Sequence, residues 1–342
     1  MADVDNATRA PESDAQEASA APPAPVVGEH CVTDRPTRMF YIPHHFHLRL
    51  TGAASGQSST GEIIKLNGVD VYISKPTDYP HAPSRLLLLL TGGTGIKSTN
   101  NQIQADKFAS EGYLVLMPDL FAGDTAPGAT AVTDDSTSIL EQFKLKAVEV
   151  TKSFLIDMWL ARVTEDRVMP ILHKVIDAAR EQYADSIQRG DGIYAAGYCV
   201  GARFVLLLAK KTKVVEGDAE SGGLKSGPFI KAGALAHAAS VTPDDFKDIS
   251  APLSLVCVEN DPLFTDEVRI AGEDTMSDAN LEHEVQVYPG VPHGKPMLHS
   301  SLYLDRQLTM TGFAVVGEYQ DAAIKDAQAT AYEQMLKWIQ SH

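Results

Sequence analysis

The sequence of 342 residues has only three cysteines, Cys31, Cys199 and Cys257. An odd number without paired metal-ligand spacing supplies neither a disulfide framework nor a zinc pattern, and it fits a reducing, cytoplasmic setting. Long apolar runs are also missing. The longest, Leu86 to Leu90, is strand-sized and too short to cross a bilayer. Basic residues are in deficit: 29 Lys and Arg against 45 Asp and Glu give a formal net charge of -16. That balance disfavours non-specific binding to nucleic acid or anionic membrane, and neither is expected as a partner. The opening stretch MADVDNATRAPESDAQEASA lacks the basic region and apolar core of a secretory signal, and no internal repeat is visible.

What is present suffices for a large core, since 44% of residues are apolar. Met1 to about Thr37 is rich in Ala, Pro, Asp, Glu and Ser and is expected to be disordered. The next piece holds His44, His45 and His47 without a carboxylate or cysteine beside them, so no metal site is expected there. An irregular extension over residues 1–58 followed by one catalytic-sized domain over residues 59–342 is the expected organisation.

Glu62 to Leu66 and Val69 to Ser74 read as a hairpin turning at Asn67-Gly68. Arg85 to Leu90 is a buried-type strand ending in Thr91-Gly92-Gly93-Thr94-Gly95. A helix over Asn101 to Glu111 and a strand over Tyr113 to Met117 follow. Helical pattern then runs from about Ile139 to Asp185, with a break expected near Pro170. Ala232 to His237, Leu253 to Val258 and Val285 to Tyr288 read as strands, and Ala322 to Ile339 as a closing helix. This alternation predicts an α/β fold with a mostly parallel sheet, whose ligands bind beyond the carboxyl ends of the strands.

The segment GIYAAGYCVGARFVLLLAK, from Gly192 to Lys210, is strand, tight turn and helix with a cysteine at the tip. Gly197-Tyr198-Cys199-Val200-Gly201 has the G-x-S-x-G shape of a nucleophile elbow, with Cys in place of Ser. A buried core cysteine flanked by packing glycines fits this stretch equally well. Asp261 and His293 also lie just beyond strand ends, giving the chain order nucleophile, acid, histidine. A thiol needs a base within reach, and that base needs an acceptor to hold its tautomer. Three loops at one sheet edge can deliver both. Backbone N–H groups of Val200 and of Gly93 are the expected oxyanion donors. The Gly92-Gly93-Thr94 loop lacks the Gly-Lys-Ser/Thr ending of a phosphate loop, so no nucleotide is expected. Gly92, His237 and Trp159 are candidate pocket residues, although His237 and Trp159 suit buried packing roles as well. Cys257, in mid-strand, reads as core.

The segments GYCVGARF (Gly197 to Phe204), EGYLVLMPDLFAGD (Glu111 to Asp124), ENDPL (Glu259 to Leu263) and PGVPHG (Pro289 to Gly294) together resemble the dienelactone hydrolase family. The likeness is to the eukaryotic, fungal-type branch of these α/β-hydrolases. The resemblance implies an α/β-hydrolase fold and a cofactor-free, metal-free hydrolase of small esters or lactones. In it Cys199 attacks the carbonyl, His293 shuttles the proton and Asp261 orients His293. It also implies two departures. Gly92 stands where bacterial members carry a gating glutamate, and Val316 stands where they carry an arginine that grips a substrate carboxylate. A neutral lactone, ester or thioester, including one from a secondary-metabolite pathway, therefore remains open, as does a binding protein on a hydrolase scaffold. A monomer or homodimer is expected.

Family members continue from His-Gly into Phe-Ala-Val, yet Lys295 to Gly312 intervenes before Phe313. Deleting those residues restores HGFAVVGE. Codons for Gly-Lys and for Leu-Thr-Met-Thr-Gly can spell a splice donor, branch point and acceptor, and Arg38-Met39 with Ala53-Ala54 allow the same. Residues 38–54 and 295–312 thus read either as unspliced introns or as genuine insertions.

Overall fold

The computed structural model describes residues 58–127, 155–211, 228–293, 312–317, 319 and 321–342. The N-terminal extension with Cys31 and the three clustered histidines, the intervening stretch up to Thr311, and the start of the long helical pattern lie outside the described residues.

Eight strands form one sheet: β1 (Glu62–Leu66), β2 (Val69–Ser74), β3 (Arg85–Leu90), β4 (Tyr113–Pro118), β5 (Ile193–Tyr198), β6 (Ala232–Ala236), β7 (Leu253–Val258) and β8 (His283–Tyr288). Their spatial order is β1-β2-β4-β3-β5-β6-β7-β8. The first hairpin turns where expected, with φ of 48° at Asn67 and 82° at Gly68. Both residues are in the left-handed region that a two-residue hairpin demands. β1 and β2 are antiparallel to their neighbours, and every later pairing is parallel.

The run of five leucines in β3 explains why this strand is central. Leu86, Leu88 and Leu90 face one core cluster while Leu87 and Leu89 face the other, as a strand covered on both faces requires. Helices α1 (Thr99–Ser110) and α6 (Ala322–Ser341) cover one face. Helices α2 (Glu165–Gln182), α3 (Ala184–Gly190), α4 (Val200–Leu208) and α5 (Asp266–Asp278) cover the other.

Two expectations are corrected. Pro170 lies inside α2 and does not end it. An interior proline costs about 3 kcal/mol, but α2 buries Val168, Leu172, Val175 and Ile176. Each such side chain contributes about 1.5–3 kcal/mol when removed from water, so the packed face outweighs the missing bond. Helix α5 was not anticipated: it buries only Gly272 and Met276, too few apolar positions to produce a helical period. Among the described residues, no helix is long and apolar enough to cross a membrane.

The chain leaves β3 for β4 on one side and later returns to β5 on the other. The crevice between β3 and β5 is therefore a topological switch point, where open α/β sheets bind ligands. Register places the strand ends level there, with Leu90 opposite Gly197. Val258 stands likewise opposite Tyr288, so the loops after β7 and β8 leave the sheet side by side.

Candidate active site

Cys199 sits at the junction of β5 and α4 with φ 53° and ψ -120°. A non-glycine residue in such a conformation costs on the order of 1–3 kcal/mol and persists only where its surroundings enforce it. Those surroundings are identifiable. The Cys199 N–H donates to the Ala236 carbonyl at 3.1 Å, and its own carbonyl accepts from Ala202 and Ala239, each at 3.1 Å. The flanking glycines are sterically required. A Cβ on Gly197 would come within 2.5 Å of the Val205 side chain, and one on Gly201 within 2.2 Å of the Leu90 carbonyl oxygen. The Cys199 side chain is 2% exposed and stands at the α4 N-terminus, where the helix dipole favours negative charge.

The loops after β7 and β8 bring Asp261 and His293 together. Asn260 turns the first loop with φ 53°, and Asp261 Oδ1 accepts the Leu263 N–H at 2.9 Å. The other carboxylate oxygen, Oδ2, accepts a short hydrogen bond from His293 Nδ1. Both residues are buried, at 2% and 6% exposure. Burial by itself would lower the His293 pKa. The Asp261 charge and hydrogen bond, joined by a hydrogen bond and charge interaction with Cys199, reverse that and raise it to about 10. His293 is thus tied to Asp261 through Nδ1 and interacts electrostatically with Cys199.

The loop after β3 closes the site from the other side. A Cβ on Gly92 would stand 3.1 Å from Cys199 Cβ and 3.8 Å from Sγ, so any larger residue there would lean on the thiol. Gly92 O accepts from Gly95 N at 3.1 Å, and Gly93 O accepts from Ala126 N at 3.0 Å. Asn101 Nδ2 donates to Thr94 Oγ1 at 2.9 Å and to Gly95 O at 2.8 Å. Opposite, Val200 is the first residue of α4, so its N–H belongs to the group that has no acceptor inside the helix.

The remaining candidates fall one layer out. Trp159 is 1% exposed. Its Nε1 donates to the Asp124 carbonyl at 2.6 Å, which steadies the segment whose Ala126 bonds Gly93. His237 is fully buried at 0% exposure, with its ring centroid 5.4 Å from that of His293. Cys257 is core: burial pushes its thiol up to about 12. Val316 is clamped by its main chain to α1, its N–H donating to Gln104 Oε1 at 2.9 Å and its carbonyl accepting from Asn100 Nδ2 at 2.6 Å. The clamp formed by Asn100, Asn101 and Gln104 escapes sequence reading. Its one signal is a cluster of buried-type amides on the face of α1 where apolar residues would be expected. Among the described residues, no group of three or more His, Cys, Asp or Glu side chains could hold a metal ion.

Comparison with known proteins agrees with this architecture. The family model described as "Dienelactone hydrolase family" matches residues 69–342. Hydrolase pyvD of Aspergillus violaceofuscus is 28% identical over 243 residues, covering 71% of this chain and 82% of that protein. Dienlactone hydrolase 1 of Gibberella moniliformis is 28% identical over 238 residues, covering 69% and 77%. The solved structure of Thermogutta terrifontis esterase 2 phosphoramylated by tabun superposes with a TM-score of 0.52 at 14% identity, covering 81% of this chain and 94% of that one. At that identity the likeness speaks for the fold alone. With the family match spanning all eight strands but the first, the chain belongs to the dienelactone hydrolase family and is an ester or lactone hydrolase of the α/β-hydrolase fold.

Proposed function

We propose that this protein cleaves small, neutral lactones, carboxylic esters or thioesters through an acyl-enzyme on Cys199. The observation that carries the reading is the position of His293, hydrogen-bonded through Nδ1 to buried Asp261 and near enough to Cys199 for the two to interact electrostatically. With the His293 pKa raised to about 10, the proton of the pair already rests on His293 at neutral pH, and in the first half-reaction Sγ, as thiolate, forms a bond to the carbonyl carbon. The carbonyl oxygen, now an oxyanion, accepts hydrogen bonds from the Val200 and Gly93 N–H groups, an arrangement worth about 10²–10³ in rate for each donor. Collapse of this intermediate breaks the carbon–oxygen bond, or the carbon–sulfur bond of a thioester. The His293 proton goes to the leaving group. Water then attacks the new thioester with His293 taking its proton, and breaking the bond to Sγ releases the acid and regenerates the thiolate beside protonated His293. Asp261 keeps the Nδ1–H tautomer in place.

A neutral substrate is favoured because Gly92 offers no side chain above the thiol and because Val316 carries an uncharged side chain, its main chain tied to α1. The reading is tested with a panel of aryl esters, lactones and thioesters. Cys199→Ala should reduce turnover of every accepted substrate by about 10³-fold or more. Undiminished turnover in that variant, or ligand binding without turnover in the parent, would overturn it.

A further inference from the structure

We propose that His237 is a positioning residue for this reaction: its buried ring, held edge-to-face against His293, sets the plane in which the His293 imidazole meets Cys199. The inference rests on the triad reading above and adds a fourth side chain to it.

The hydrogen bond from His293 Nδ1 to Asp261 fixes one atom of the ring. A ring pinned at one atom can still turn about that bond and carry Nε2 away from the thiol, so a second surface is needed to define its plane. His237 supplies one. The two ring planes meet at 83° with centroids 5.4 Å apart, the edge-to-face arrangement in which aromatic rings attract.

His237 is itself held on several sides. Its N–H donates to the Val256 carbonyl at 2.9 Å, and φ at this residue is 37°, a left-handed conformation that few residues other than glycine adopt. Its ring packs 5.9 Å from Tyr198 and 6.0 Å from Phe313. The Gly312 main chain closes the last side so tightly that a Cβ there would stand 2.2 Å from His237 Nε2. Two residues further on, Ala239 donates to the Cys199 carbonyl at 3.1 Å. One short loop after β6 thus touches the nucleophile's main chain and the base's ring, and a shift in it changes the distance between them. Misplacement by about 1 Å can cost on the order of 10²-fold in rate.

The titratable groups that face His293 are Asp261 from the loop after β7, Cys199 from the elbow and His237 from the loop after β6. Tyr198, at the end of β5, faces His237, and burial drives its hydroxyl pKa upwards, which keeps it protonated. Asp261 and Cys199 are unchanged in His237 variants, and Gly312→Ala keeps His237 as well. A shift shared by both kinds of variant therefore reports the placement of His293.

The test uses the full chain with His237→Asn, His237→Gln and Gly312→Ala. Asparagine tolerates the left-handed backbone, and Gly312→Ala keeps His237 but pushes on its ring. Steady-state turnover of p-nitrophenyl acetate is measured beside the pH dependence of Cys199 alkylation by iodoacetamide. The expected result is a kcat lower by about 10–100-fold with KM within about twofold of the parent. The alkylation midpoint should move upward by about one pH unit, because a displaced imidazole stabilises the thiolate less. A purely structural role would lower the unfolding temperature and leave that midpoint unmoved. If His237→Asn and His237→Gln do not fold, Gly312→Ala decides. Folded variants with the parent's kcat and midpoint overturn the proposal while leaving the triad intact. An active Cys199→Ala would instead remove the triad reading and this inference with it.

Discussion

His293 concentrates the electrostatics of the site in one side chain. An unperturbed histidine titrates near 6.5, and here the Asp261 carboxylate and Cys199 overcome the effect of burial to raise that to about 10. The folded chain therefore holds a proton that the unfolded chain releases between those two values. The resulting stabilisation is fully present below about pH 6.5 and is lost as pH rises through about 10. In Asp261→Asn the carboxylate charge is gone, burial dominates, and the His293 pKa falls. The stability advantage of the parent over Asp261→Asn should therefore shrink steadily between pH 6.5 and 10, as read by urea denaturation at a series of pH values. A difference that does not vary with pH would contradict the assignment. At this scale the sequence was informative: Cys199, Asp261 and His293 stand out as candidates by residue type and by position after strands. His237 reads only as a pocket or packing residue and the amides of α1 give no such signal, because their roles come from contacts between segments far apart in the chain.

At the scale of the element, the elbow depends on close approach between backbones. Gly201 packs against the end of β3, and the missing Cβ is what lets α4 start directly over the sheet. Gly201→Ala would place a methyl 2.2 Å from the Leu90 carbonyl oxygen, a backbone atom that cannot swing aside. Overpacking of this kind costs about 1–3 kcal/mol, and the shift it forces passes to Cys199 two residues before. Gly201→Ala should therefore unfold at lower denaturant and also turn over more slowly; a variant with parental stability and rate would show that the contact is soft. Strands were easier to read than helices. The leucine run of β3 and the alternating faces of the sheet have a short, strict period. Helix α5 is mostly polar and exposed, and Pro170 carries a breaker signal that the buried face of α2 overrides. β8 begins at His283, earlier than its apolar residues indicate, because an edge strand needs backbone pairing more than apolar side chains.

For the molecule as a whole, the sheet order converts a linear arrangement into a site. Three residues separated by 62 and 32 positions meet because β5, β6, β7 and β8 lie side by side in parallel, each ending at the same edge. That parallelism was legible from strand–helix alternation, and the net charge of -16 agrees with a small neutral substrate rather than a polyanion. The order of strands was not legible, since apolar runs specify burial and not neighbours. It is the crossover from β4 back to β5 that opens the crevice beside Gly92.

If hydrolysis passes through a covalent bond to Cys199, that bond can be trapped. The parent protein is mixed with p-nitrophenyl acetate, quenched in acid within the first turnover and digested for peptide mass mapping. An acetyl adduct is expected on the peptide carrying Cys199, accumulating in Asp261→Asn or His293→Ala more slowly than in the parent and absent from Cys199→Ala. Turnover by the parent with no adduct on Cys199, or an adduct on another residue that forms at the rate of turnover, would contradict it.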